Sequence, residues 1–319
     1  MIQFADETTR QQVWKMWKTV FDDPDDYMEI YFRHKYRDEN SLLYLEEEHV
    51  VASLQMLPYR FTFCGREIPV LYLSGVSTLP GYRKKGYMRQ LLVKSFEEAA
   101  RKDVPLMLLV PQEEWLLKFY DRYGFAQTFD DGTEELPSLK ELTGRYPGDL
   151  GAAFREFNTL FRQKDMTLQK SFDDFYAMVE EAALFDFPTK RSLKGMARVI
   201  DAERLLSLFA DRYPRQSFSI IVHDELLKDN NAVFTVTDGK VERRPLVTES
   251  GGKGGEETLS DKENTPQTGG GDSSPVESAL TVDIRELAQL LLGYHTSEKA
   301  KPFNTLFPEK EPQMHFMLE

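Results

Sequence analysis

LYLSGVSTLPGYRKKGYMRQLL, residues 71–92, is the stretch that decides the architecture. Leu71, Leu73, Val76 and Thr78 read as an extended segment of strand-forming residues. Pro80-Gly81 breaks it, Arg83, Lys84 and Lys85 crowd the turn, and a helix starts at Gly86. Met88, Leu91, Leu92 and Phe96 then fall at helical spacing. A strand, a basic turn and a helix N-terminus make an anion site, because first-turn N–H groups lack partners and the helix dipole favours negative charge. Gly86 lets the backbone approach a pyrophosphate without a Cβ in the way.

The 319 residues predict two or three domains with ample core. Apolar residues at 41% and charged ones at 29% are ordinary for a globular chain. A formal charge of -13 argues against nucleic-acid or anionic-membrane partners, since phosphates are repelled. Arg83, Lys84, Lys85 and Arg89 are a local exception to that balance. The single Cys64 excludes an intrachain disulfide. MIQFADETTR has neither a cationic nor an apolar leader region, and no apolar run reaches membrane-spanning length, so a cytoplasmic protein is expected.

Asp6 to Val20 reads as an amphipathic helix that Asp6 can cap, and Pro24 starts a second. Ser41–Glu46, Val50–Phe63 and Ile68–Thr78 predict an antiparallel meander that turns at Cys64-Gly65. After the central helix come a short apolar strand (Leu106–Val110), a helix (Glu113–Tyr123) and a strand (Phe125–Phe129).

On these residues the chain resembles the GNAT acyltransferases, which bind acetyl-CoA. Their motif, Arg/Gln-x-x-Gly-x-Gly/Ala, reads here Arg83-Lys84-Lys85-Gly86-Tyr87-Met88, with Met88 departing from the small final residue. The variant V-x-x-x-P-x-x-R-x-x-G followed by two large residues is similar to the enhanced-intracellular-survival (Eis) branch. The resemblance implies that Val76, Ser77 and Thr78 line the pantetheine arm and that Lys84 to Arg89 cradle the diphosphate. Trp115 and Leu116 match further cofactor contacts of the branch. In FYDRYGF, residues 119–125, the resemblance makes Tyr120 the general acid: a phenol beside the sulfur can protonate a departing thiolate.

Residues 136–194 read as mostly helical, too short for the second GNAT-like domain of that branch: a connector or a reduced remnant. From Gly195 a strand (Met196–Ile200), a helix, strands at 218–223 and 232–237, and a strand and helix over 280–294 resemble a sterol-carrier-like domain. Thr248 to Ser278, rich in Gly, Ser, Glu and Thr, predicts a disordered insertion. The expected division is thus 1–135, 136–194 and 195–319, a mixed α/β chain. The resemblance further implies a C-terminal carboxylate that takes the acceptor's proton, here at Glu319, and it leaves a homo-oligomer open.

Phosphate-loop and dinucleotide motifs are absent. His34, His49, His223, His295 and His315 do not pair at metal-ligand spacing, so no metal is expected. Asp22, Asp26 and Glu29 lie where an acidic rim would attract a cationic amine. The expected function is N-acetylation, by acetyl-CoA, of a primary amine on a small cationic molecule. The rival is a non-catalytic acyl-CoA- or lipid-binding protein that kept the fold.

Overall fold

The computed structural model describes residues 1–246 and 279–318. The insertion expected at about 248–278, and Glu319, lie outside the described residues.

β1 (Ile2–Phe4) leads into α1 (Glu7–Phe21). Asp6 caps α1 as expected: its carboxylate accepts from the Thr8 and Thr9 N–H groups at 3.0 and 2.9 Å, and Thr9 Oγ1 accepts from the Asp6 N–H. Such a reciprocal cap satisfies donors that the first turn cannot. After α2 (Asp25–His34), the strands β2 (Ser41–Glu46), β3 (His49–Phe63) and β4 (Arg66–Thr78) form the meander. Cys64 and Gly65 join β3 to β4 at φ 52° and 75°, the turn geometry that matches strand twist. α3 (Tyr87–Arg101), β5 (Leu106–Leu109), α4 (Glu114–Asp121) and β6 (Ala126–Phe129) follow in the expected order.

The middle region contains α5 (Leu139–Arg145), α6 (Leu150–Phe161), β7 (Thr167–Gln169) and α7 (Phe172–Leu184). The short β7 was not legible as a strand; it pairs with β3 at Arg60–Thr62. The last third supplies β8 (Gly195–Val199), α8 (Ala202–Arg212), β9 (Phe218–His223), β10 (Ala232–Thr237), β11 (Lys240–Pro245), β12 (Leu280–Asp283), α9 (Ile284–Leu292) and α10 (Phe303–Leu306).

The larger sheet runs β1-β2-β3-β4-β5-β8-β6, with β7 on β3. The smaller runs β11-β10-β9-β12. One expectation is corrected here. β8, read as the opening strand of a second domain, lies between β5 and β6, antiparallel to both. All four residues of β5 are buried, so its outer edge needs a partner for N–H and C=O groups that water cannot reach. A five-residue strand says nothing by itself about which sheet it will join, and a division at Gly195 cuts through the larger one.

Side chains of β4 alternate between two cores. Val70 and Tyr72 face α1, α2 and α7, while Leu71 and Leu73 face α3. Leu91, Leu92 and Phe96 are wholly buried, each worth on the order of 2 kcal/mol in surface removed from water. They fix α3, and with it the basic turn, against the sheet.

Candidate active site

The cleft is made by two strands that part. β5 pairs in parallel with β4 over Val70–Tyr72, and β4 then runs on to Thr78. On its other edge the pairing with β3 passes from Gln55↔Ser74 to Ser53↔Ser77, so β4 carries one extra residue there, a bulge at Gly75–Val76. Gly75 sits at φ +57°, and an added Cβ would stand 2.5 Å from Trp17 Cζ3. Only glycine serves both the bulge and the indole packed on it.

A cavity of about 80 Å³ opens along this strand. Val76 of the bulge, Leu116 and Tyr120 of α4, Trp17 of α1 and Asp23 just after it are among its lining residues. Three residues expected at the site, Val76, Leu116 and Tyr120, are therefore brought together. Tyr120 is only 6% exposed, its ring packed against Phe119 and Phe125. Burial pushes its phenol above the ordinary tyrosine range, so the group holds its proton at neutral pH.

The basic turn fits a diphosphate. Gly86 is the N-cap of α3 at φ 82°, and no side chain among the described residues caps that end. Where a Cβ at Gly86 would stand, nothing lies within 4 Å. Arg83, Lys84, Lys85 and Arg89 are exposed around it. Lys85 lies 3.7 Å from Glu46, whose carboxylate also accepts from the Tyr87 phenol. That bond pushes the phenol up to about 12. Met88, the departure from the motif, is half-buried in the α3-side core, so its bulk is absorbed by packing and not by the turn.

Thr78 accepts from Arg83 Nε at 3.2 Å, which folds the turn back on the strand end. The Ser77 side chain is buried beside Ser53, leaving only its backbone for a ligand. Trp115, by contrast, is 60% exposed with its indole N–H on Glu113 at 2.6 Å, away from the cavity lining.

The acidic residues expected to form a rim are placed differently from that expectation. Asp22, Asp26 and Glu29 are exposed and do not line the cavity; Asp23 does. Trp17 Nε1 donates to Asp23 Oδ2 at 2.7 Å. The Tyr31 hydroxyl lies 2.8 Å from Ser74 Oγ and 3.1 Å from Gln55 Oε1, with one proton to donate between them, and braces the strand before the bulge. Nothing in an acidic run singles out its second member; the αL residue Asp22, which ends α1, turns Asp23 inward. Glu319 lies outside the described residues, while Met314 to Leu318 are buried, and Lys170 Nζ donates to Met317 Sδ at 2.9 Å. Among the described residues no cluster of His, Cys, Asp or Glu is arranged to hold a metal ion, and no helix is long and apolar enough to cross a membrane.

Comparison with known proteins gives the same frame. Residues 1–128 match the acetyltransferase (GNAT) domain family, and residues 203–311 the sterol carrier protein domain family. No protein of curated function matches. Among solved structures, a GCN5-related N-acetyltransferase from Anabaena variabilis is similar at TM-score 0.64 and 16% identity over 98% of both chains. One from Kribbella flavida gives 0.60 and 15% over 92% of this chain and 88% of its own. Eis1 from Mycobacterium abscessus gives 0.56 and 13% over 98% and 94%. At such identities the likeness is one of fold. With its strands parting beside a basic Gly-containing turn, the chain joins a GNAT acetyltransferase-type domain over residues 1–128 to a sterol carrier protein domain over residues 203–311.

Proposed function

We propose that this protein is an acetyl-CoA-dependent N-acetyltransferase acting on a primary amine of a small cationic molecule by direct attack. The carrying observation is that Val76 of β4, Leu116 and Tyr120 of α4, and Asp23 after α1 line one cavity, and that the helix following β4 begins at an N-terminus no side chain among the described residues caps.

Acetyl-CoA would supply an activated acetyl thioester. The first turn of α3, with Lys84 to Arg89, would hold its diphosphate through N–H groups and cations. Backbone N–H groups of the bulge and of Val76–Thr78 would bind the pantetheine arm and polarise the thioester carbonyl. Asp23 would draw in the ammonium group. As the N–C bond forms and the C–S bond breaks, Tyr120 would give its proton to sulfur. The reacting nitrogen sheds its ammonium proton to water before attack and a second proton once the N–C bond has formed, and the Glu319 carboxylate is our candidate base for the second.

The test is thiol release from acetyl-CoA with a panel of polyamines, aminoglycosides and uncharged amines, run beside thermal shift with acetyl-CoA. Stabilisation with amine-dependent thiol release supports the reading. Stabilisation with no release for any amine favours the non-catalytic acyl-CoA-binding reading.

A further inference from the structure

The glycine of the Tyr120 segment, Gly124, stands against an arginine from the far end of the larger sheet. Arg198 of β8 has a wholly buried side chain. Its Nη2 donates to both Asp224 oxygens at 2.8 and 2.7 Å, its Nη1 to the Val199 carbonyl at 2.6 Å, and its Nε to the Tyr123 carbonyl at 2.9 Å. Asp224, just past β9, also accepts from the Leu226 and Leu227 N–H groups and from Asn230 Nδ2. A Cβ on Gly124, at φ +80°, would stand 2.8 Å from Arg198 Nε. The turn can close on the guanidinium only with glycine there.

A buried ion pair is a poor stabiliser, since desolvation cancels most of its attraction and apolar pairs of similar volume often replace it without loss. What it supplies is direction. The carbonyl it holds belongs to Tyr123, whose own N–H donates to the Tyr120 carbonyl at 2.8 Å. One tight turn thus joins Arg198 to the backbone of Tyr120. Asp224, the other end of the chain of bonds, lies within the residues that match the sterol carrier domain.

We propose that Arg198 and Asp224 are positioning residues through which the C-terminal domain sets the placement of Tyr120. This rests on the reading of Tyr120 as the acid. Arg285 to Asp121, at 2.8 Å, is a second link to the same helix, but both side chains are substantially exposed, and it serves as the control.

The variant that removes the pair without stranding a charge is R198M/D224N, which keeps an acceptor for the Leu226 and Leu227 N–H groups. In the folded variant we expect kcat for the best amine to fall about tenfold or more, as small misplacements of a reacting group do. Acetyl-CoA KM should stay within about twofold. R285A should change neither. In a Y120F background, R198M/D224N should cost nothing further, because a positioning effect needs the group it positions. An additive loss in Y120F, a change in KM alone, or unchanged kcat in the folded variant would overturn the proposal. If R198M/D224N does not fold, R198K, which keeps the charge and loses the fork, must show the same split and the same non-additivity with Y120F. Unaltered kcat in folded R198K overturns the proposal as well. Full activity of Y120F itself defeats the acid assignment first, and so separates the two failures.

Discussion

The Trp17 indole N–H points at the Asp23 carboxylate from 2.7 Å, and that contact fixes a negative charge at the mouth of the cleft without neutralising it. A neutral donor orients a carboxylate yet leaves its field available to an incoming cation. The same indole lies over Gly75, so the charge and the strand bulge are held in register by one ring.

Asp23→Asn keeps the shape and the hydrogen bond and removes the charge. We expect kcat/KM for a cationic acceptor to fall by about tenfold, the scale of one partly solvated ion pair, and to lose much of its salt dependence. An uncharged amine should respond little. Steady-state rates at two salt concentrations check this; equal losses for both amines would remove Asp23 from acceptor selection.

Gly86→Val places a branched side chain at φ 82°, which such residues rarely adopt, and fills the open space in front of the α3 N-terminus. Backbone strain should cost on the order of 1–3 kcal/mol of stability. Beyond that, the rise in Tm that acetyl-CoA gives the parent should vanish. A folded variant with unchanged acetyl-CoA affinity would defeat the assignment of the basic turn.

Tyr120→Phe retains the ring that packs on Phe119 and Phe125. Turnover should drop by roughly 100-fold, the low end for a lost general acid, while acetyl-CoA binding stays near parental. Burial raises the phenol's pKa, so no fall in the parent's kcat near the usual tyrosine pKa of about 10 should be traceable to this group. A rate profile to pH 10 for parent and variant reads both.

His315 is wholly buried, stacked on Phe161 at 4.0 Å, and neither ring nitrogen has a hydrogen-bond partner among the described residues. Burial first, and the nearby Lys170 and Lys164 next, hold its pKa well below 6.5. Below that pH the unfolded chain takes up a proton that the folded chain refuses, so stability declines as the solution is acidified. His315→Phe should raise Tm at pH 5, with a smaller difference at pH 8. An equal Tm difference at the two pH values would show that the imidazole's proton plays no part.

Much of the first domain was legible because its signals are local. The Asp6 cap, the Cys64-Gly65 turn and the basic turn at Gly86 each depend on a few neighbouring residues. Tyr120 and Leu116 were legible for the same reason, lying on one helix near a recognisable segment. Tyr31, Gln55 and Ser74 were not, because each acquires its role from a residue distant in the chain; Asp23 was not, because only the cavity it shares with Val76 and Tyr120 sets it apart from the other acids of its run.

The strand of Gly195–Val199 shows where that limit falls. Its sequence determined that it would be extended, because Met196, Ala197, Val199 and Ile200 make a short, mostly apolar run; the burial of Arg198 within it is a product of the tertiary structure. Its place between β5 and β6 came from the tertiary structure, which had an edge of buried N–H and C=O groups to satisfy. The sequence by itself determined most of the elements, the basic turn before α3 and the helix that carries Tyr120. Only the tertiary structure decided that β4 and β5 part, which aspartate faces the gap, and that Arg198 grips the turn behind Tyr120. Hydrogen bonds between distant residues depend on how the sheet closes, and no local pattern carries that information.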